Sequence, residues 1–535
     1  MVEKNNYYFP INEVERFINE IFLYVYGEDH TGTNEILSKY FSSFRDDLYC
    51  YAEYPYVEKF YRDNFYNFYS TKHKKYNRDC IRISFFSIPV ENSSFRDEDE
   101  IEKLKIKGVF LGCSTIRPTP PNIIGRSLIS PDALKISPID ICQTKYKFMV
   151  NGIRLTTQGF PHNMQNLEVT RCAEVSICNI MDYLSNKYQD YRLVLPSSLR
   201  KTMTNTSEVR QLPSDGLRIN HISYALKEFG LEPLKYDRAE KIYAGELDNI
   251  ICTYIESGIP VIGVIDLKAF KYDKGEFILV STEEIESENP PDVLNKQHTF
   301  LIIGKKALDG DLKIEEFPSY EPIIETAKQY TFYDYSDFVK DVVVSDDCTS
   351  PYSILKLKNP DNFKSDEDIL NMITGIVVPL PPKVYVDASK AKDIAFNIAA
   401  SLLDLTLNLD SETFILRILL TSTRSFKEHI SKNFNIDSDN RDKFINFPTP
   451  KFIWLCEVLS KDSYTTNECV GFFTLDATES NEYAEMTDIL LFGALFDTIY
   501  LSDIDNKELK TVHLQSFSNR YALYQNLNEQ KHGKK

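Results

Sequence analysis

The stretch from about residue 160 to residue 357 constrains this chain more than any other part of it. Its periodicity is helical at first and strand-like afterwards, with a single change between the two. In RCAEVSICNIMDYLSNKY, residues Ala173, Ile177, Ile180, Met181 and Leu184 recur at helical spacing on one face, with Thr170 expected as the N-cap. SDGLRINHISYALKEFGLEP reads as a second amphipathic helix closed by Gly230. ELDNIICTYIESGIP reads as a third, ended by Gly258 and Pro260 before the apolar strand VIGVIDL. Strands are then expected at EFILVS, HTFLIIG, QYTFYDYS and VKDVVVS. Helices followed by a strand-rich half predict an α+β fold.

With 535 residues the chain is too long for one ordinary core. We expect a mostly helical N-terminal region over 1–105, a central α+β domain over 106–378 and a C-terminal α/β domain over 379–535. The Pro-rich STIRPTPPNIIGRSLISP must run extended, and PLPPK at 379–383 reads as a linker. The 33 Tyr and 34 Phe can fill large cores and argue against long disordered stretches.

A net charge of −18 excludes general nucleic-acid binding, which depends on Lys and Arg displacing counterions. The basic run Lys72-His73-Lys74-Lys75 is too short to reverse this and reads as solvated surface. No stretch approaches about 18 uninterrupted apolar residues, so no membrane partner is expected. The first residues lack the apolar run of a signal peptide. None of the ten cysteines forms a CxxC pair, and their scatter does not suggest a disulfide framework. These features point to a reducing cytoplasm. Without HExxH, CxxC or a phosphate-binding glycine loop, neither metal nor cofactor is expected.

Among the cysteines, Cys172 falls in the first turn of its helix, where free N–H groups and the helix dipole favour a thiolate. Cys178, Cys252 and Cys456 lie inside apolar patterns and read as core. A catalytic cysteine needs a base. His298 starts the strand HTFLIIGK directly after the polar loop ESENPPDVLNKQ, so a rigid strand can hold it at a cleft. Asp346 and Asp347 end the apolar strand VVVS and are candidates to orient the imidazole. As neighbours on a strand end they should point to opposite sides. Asp346 would then face His298, leaving Asp347 to cap the turn toward Pro351. Gln165 lies seven residues before Cys172, where its amide could join the Cys172 N–H in an oxyanion hole.

These residues resemble the papain-like cysteine peptidases, and more narrowly the bacteriocin-processing peptidases. Gln165, Cys172, ESGIPVIGV, HTFLIIG and VVVSDD match that pattern in order. A closer likeness is to uncharacterised bacterial proteins with a CA-type helix start and a DDxxxPY segment. The resemblance implies a papain-like fold and a Cys-His-Asp hydrolase acting on a protein or peptide substrate. Ala173-Glu174 stands where the bacteriocin-processing enzymes have Gly-Pro, their Gln lies six residues upstream, and their Asp precedes Pro. Two other readings share these residues: a transglutaminase-like acyl transferase, and a papain-like scaffold that has lost catalysis. The intact Cys172 and His298 pair speaks against the scaffold.

Overall fold

The computed structural model describes residues 6–27, 34–120, 122–136, 138–166, 168–205, 212, 214, 217, 219–237, 246–266, 270–273, 276–279, 297–308, 324–325, 330–357, 373–406, 413–433, 436–460, 466–480, 486–503, 508–513 and 521–527. The loop expected before His298, residues 286–296, lies outside them. The fold is mixed α+β, built on three large sheets.

The first sheet runs in the order Asn6–Pro10, Tyr49–Tyr56, Cys80–Phe86, Phe110–Ile116, Ile124–Ile129, Ile153–His162, Thr144–Val150, with every neighbouring pair antiparallel. Its edge strand Thr144–Val150 alternates buried and open positions, as a strand with one wet face must. It is joined to Ile153–His162 by the two-residue turn Asn151-Gly152, both at positive φ, the conformation that a tight hairpin requires. The boundary expected at residue 105 falls inside this sheet. The aromatic helices of the first hundred residues cover a sheet that runs through to His162, so they do not form a helical domain. Strand pairing joins residues far apart in sequence, and local periodicity does not report it.

The second sheet runs Ser353–Lys356, Asp341–Ser345, Gln297–Lys306, Val261–Asp266, Ile373–Leu380, Glu232–Asp237, again antiparallel throughout, and Ile139–Ile141 pairs with the end of Gln297–Lys306. The helix Cys172–Lys187 packs against strands of both sheets. Every residue from Ala173 to Leu184 is buried, the polar ones included. Asp182 is neutralised there by Arg126 at 2.6 Å.

The third sheet runs Ile324–Glu325, Thr331–Asp334, Thr413–Ser422, Phe452–Leu459, Gly471–Asp476, Leu490–Leu495, Thr498–Asp503, Glu508–His513. Only Thr331–Asp334 against Thr413–Ser422 is parallel. The C-terminal part is therefore a largely antiparallel sheet carrying helices such as Ala388–Thr406 and Thr423–Ser431, not the α/β domain expected from the alternation of elements. This sheet also takes two strands from before residue 378.

A buried ionic cluster joins the second and third sheets. Glu256, at the end of the helix Leu247–Glu256, pairs with Lys305 and with Arg417, each at 2.6 Å. Arg417 also pairs with Glu457 at 2.6 Å and donates to the Tyr524 carbonyl at 2.7 Å. Burial pushes the Glu256 carboxyl up, but the two cations outweigh it and hold the group at about 2. Arg417→Ala leaves the buried Glu457 carboxylate without its cation and Glu256 with Lys305 alone, and should cost about 3–5 kcal/mol, read as a lowered urea midpoint. Lys432→Ala, which breaks an exposed pair with Glu428, should cost less than about 1 kcal/mol. Equal midpoints for the two variants would refute a stabilising cluster.

Candidate active site

The turn that delivers Cys172 is built by side-chain caps. Asn166 Oδ1 accepts from the N–H groups of Val169 at 2.8 Å and Thr170 at 2.9 Å, which fixes the approach to the helix. The N-cap is Arg171, one residue later than expected, and among the described residues the Thr170 hydroxyl has no hydrogen-bond partner. Glu174, buried in the first turn, reaches back to accept from the Arg171 N–H at 3.0 Å. It also accepts from the Ser214 hydroxyl, while Arg171 donates to the Ser214 carbonyl. Cys172 thus occupies the first helical position, half-buried, with its helix locked behind it.

His298 is the second residue of Gln297–Lys306 and pairs in register with Ile265 of the neighbouring strand. Its ring stacks on Phe300, two residues on and therefore on the same face. The next strand across, Asp341–Ser345, pairs Ser345 with Leu301, so its end comes up beside His298. There His298 Nε2 lies 3.0 Å from Asp346 Oδ1. An ionised carboxylate only accepts, so Nε2–H donates and Nδ1 is left for other partners. An interaction with the Cys172 side chain also favours charge on His298. Side chains from three elements thus come together at His298.

Asp346 and Asp347 do not point to opposite sides. The strand ends at Ser345, so its alternation no longer governs the turn that follows. The carboxyl of Asp347 turns inward, and ligand atoms of His298, Asp346 and Asp347 all lie within 4.8 Å of one another. Nor does Asp347 cap the turn: Asp346 Oδ1 itself accepts from the Cys348 N–H at 3.0 Å. Asp347 is 4% exposed, and among the described residues its Oδ2 has no hydrogen-bond partner. His298 lies 48 residues before the adjacent pair of aspartates, a distance that no local metal motif can register; among the described residues these three are the group that could hold a metal ion.

Gln165 lies against the same turn. Its backbone N–H donates to the Asp347 carbonyl at 3.3 Å, and its side-chain amide donates to Cys348 Sγ at 2.9 Å. Its side-chain amide therefore goes to Cys348, and among the described residues it makes no hydrogen bond to Cys172. Sequence reading missed Cys348, a thiol that burial and the two aspartates push far up. It also passed over His162, buried at the end of the first sheet with Nδ1 3.3 Å from the Ser345 hydroxyl. Burial holds His162 down at about 4, so it is neutral at physiological pH. The only available signal was its place ten residues before Cys172. Cys178, Cys252 and Cys456 are buried core residues, as expected.

Burial disfavours charge on both His298 and Asp346, but their mutual attraction outweighs it. The imidazole is raised well above its ordinary value and the carboxyl of Asp346 is held at about 2. Burial and the neighbouring Asp346 charge push Asp347 the other way, well up. A raised imidazole stabilises the fold fully below about pH 6.5 and loses this as pH climbs through its folded value. A depressed carboxyl contributes above about pH 4 and loses this as pH falls toward 2. The contribution of the pair is therefore greatest between roughly pH 4 and 6.5. In a ring-nitrogen NMR titration, His298 should remain imidazolium past neutral pH and drop back toward the ordinary range in Asp346→Asn. A wild-type midpoint near about 6.5 would remove the pairing.

A scan against models of known protein families gives no match, and neither does a search of curated proteins.

Proposed function

We propose that this chain is a cysteine hydrolase that cleaves amide bonds, in peptide or isopeptide linkage, through a covalent acyl-enzyme. The observation that carries the reading is the 3.0 Å contact of His298 Nε2 with Asp346 Oδ1 in the neighbourhood of Cys172, from which we infer a relay from Cys172 through His298 to Asp346. A buried helix that starts at the nucleophile and packs on an antiparallel sheet carrying the base agrees with a papain-like arrangement.

The chemistry follows from the positions. Cys172 is the nucleophile, its sulfur carried at the free N–H groups of a helix start, and it reacts as the thiolate. The thiolate attacks the substrate carbonyl, and the Cys172 N–H stabilises the oxyanion. Gln165 completes that hole when its amide turns from Cys348 toward the oxyanion. The imidazolium gives its proton to the departing amine, leaving a thioester. Neutral His298 then takes a proton from water, which attacks the thioester and releases the acid. Asp346 keeps Nε2 protonated, so that Nδ1 is the nitrogen that exchanges protons. An amine in place of water would make the same site a transferase. A reducing cytoplasm suits a reactive thiol, and all ten cysteines are unpaired.

Iodoacetamide at neutral pH should label Cys172 selectively, and Cys172→Ala should abolish both labelling and turnover with the fold intact. Labelling spread over several cysteines, or turnover surviving in that variant, would rule out the reading. Cys178→Ala should lower stability and leave chemistry alone. Asp346→Asn should reduce turnover by about 10²-fold or more, and Asp347→Asn by clearly less. The reverse order would reassign the orienting carboxylate to Asp347.

A further inference from the structure

We propose a second ligand site, a cavity between the central helices and the third sheet that takes a small amphipathic anion, namely an organic acid with an apolar body. The cavity holds about 740 Å³, within the range of small-molecule sites. Tyr188, just past the end of the Cys172 helix, forms one side, and Ile259 forms another in the approach to Val261–Asp266. Pro381 and Pro382 line it from the segment after Ile373–Leu380, and Leu420 and Phe452 from two strands of the third sheet. Proline walls have fixed φ, so the space is largely formed before anything enters.

Charge at the rim selects the head group. Arg424, Lys451 and Asp190 are the charged residues among the described lining. Lys451 is 3.4 Å from Asp190, so those two offset each other. Arg424 is exposed, and its guanidinium makes no hydrogen bond or ion pair among the described residues. A guanidinium above an apolar chamber matches a carboxylate attached to an apolar body, which it can hold through two parallel hydrogen bonds. The site is separate from the relay: Cys172 and Tyr188 are sixteen residues apart along one helix, about 24 Å of rise.

The test is fluorescence titration of the full chain with dansyl-labelled undecanoic acid, followed by displacement with unlabelled decanoate and with decanol. Saturable binding of one probe per chain is expected, displaced by the acid far more readily than by the alcohol. Arg424→Glu, an exposed change that spares the fold, should weaken binding by about 10-fold or more. Ile259→Trp should fill the chamber and remove binding. Three results would each overturn the proposal: no saturable signal, decanol competing as well as decanoate, or Arg424→Glu binding like the parent chain. Because Cys172 takes no part, iodoacetamide labelling in the same samples reports independently on the hydrolase reading.

Discussion

Burial of the helix Cys172–Lys187 from Ala173 to Leu184 is the constraint on which the site depends. A buried helix cannot leave polar groups unmet, so Asp182 needs Arg126 and Glu174 needs Ser214 and the Arg171 N–H. Those bonds fix the helix lengthwise and at its first turn. The N-terminus then has one position relative to the strands it packs on, and the first helical residue is Cys172. A half-buried sulfur on a movable helix would have no fixed distance to any base. Here the apolar packing that makes the core also sets the position of the Cys172 sulfur.

Much of this was legible because each residue in question sits at the end of an element. An apolar helix face locates its own start to within a residue, which is why Cys172 could be picked and why the N-cap was missed by one, Arg171 in place of Thr170. His298 and Asp346 each mark one end of an apolar run, and adjacent antiparallel strands bring such ends together. The interior cysteines were equally readable, since an apolar pattern implies burial.

What escaped the sequence depends on contacts between distant residues or on backbone beyond a regular element. Alternation holds only inside a strand, so past Ser345 nothing local could say that Asp347 turns inward beside Asp346. The bond from Gln165 to Cys348 spans 183 residues and leaves no trace in either neighbourhood. The same holds for His162 and Ser345, which link the first sheet to the second. Domain limits failed for a related reason. Punctuation by proline and charge marks where the chain turns, whereas sheets are assembled by pairings that cross such marks.

The parallel pairing of Thr331–Asp334 with Thr413–Ser422 has a consequence for how the protein could have arisen. The segment that leaves His298 and returns with Asp346 gives a strand to the C-terminal sheet on its way. Two members of the relay are therefore connected through a piece of what looks in sequence like a separate appendage. A gene truncated at the proline-rich segment near residue 380 would encode all the reactive residues yet remove the neighbour that this excursion pairs with. The chain is in this respect not one unit with a module attached: its halves are interleaved, and recombination at the apparent seam would separate strands that pair with each other.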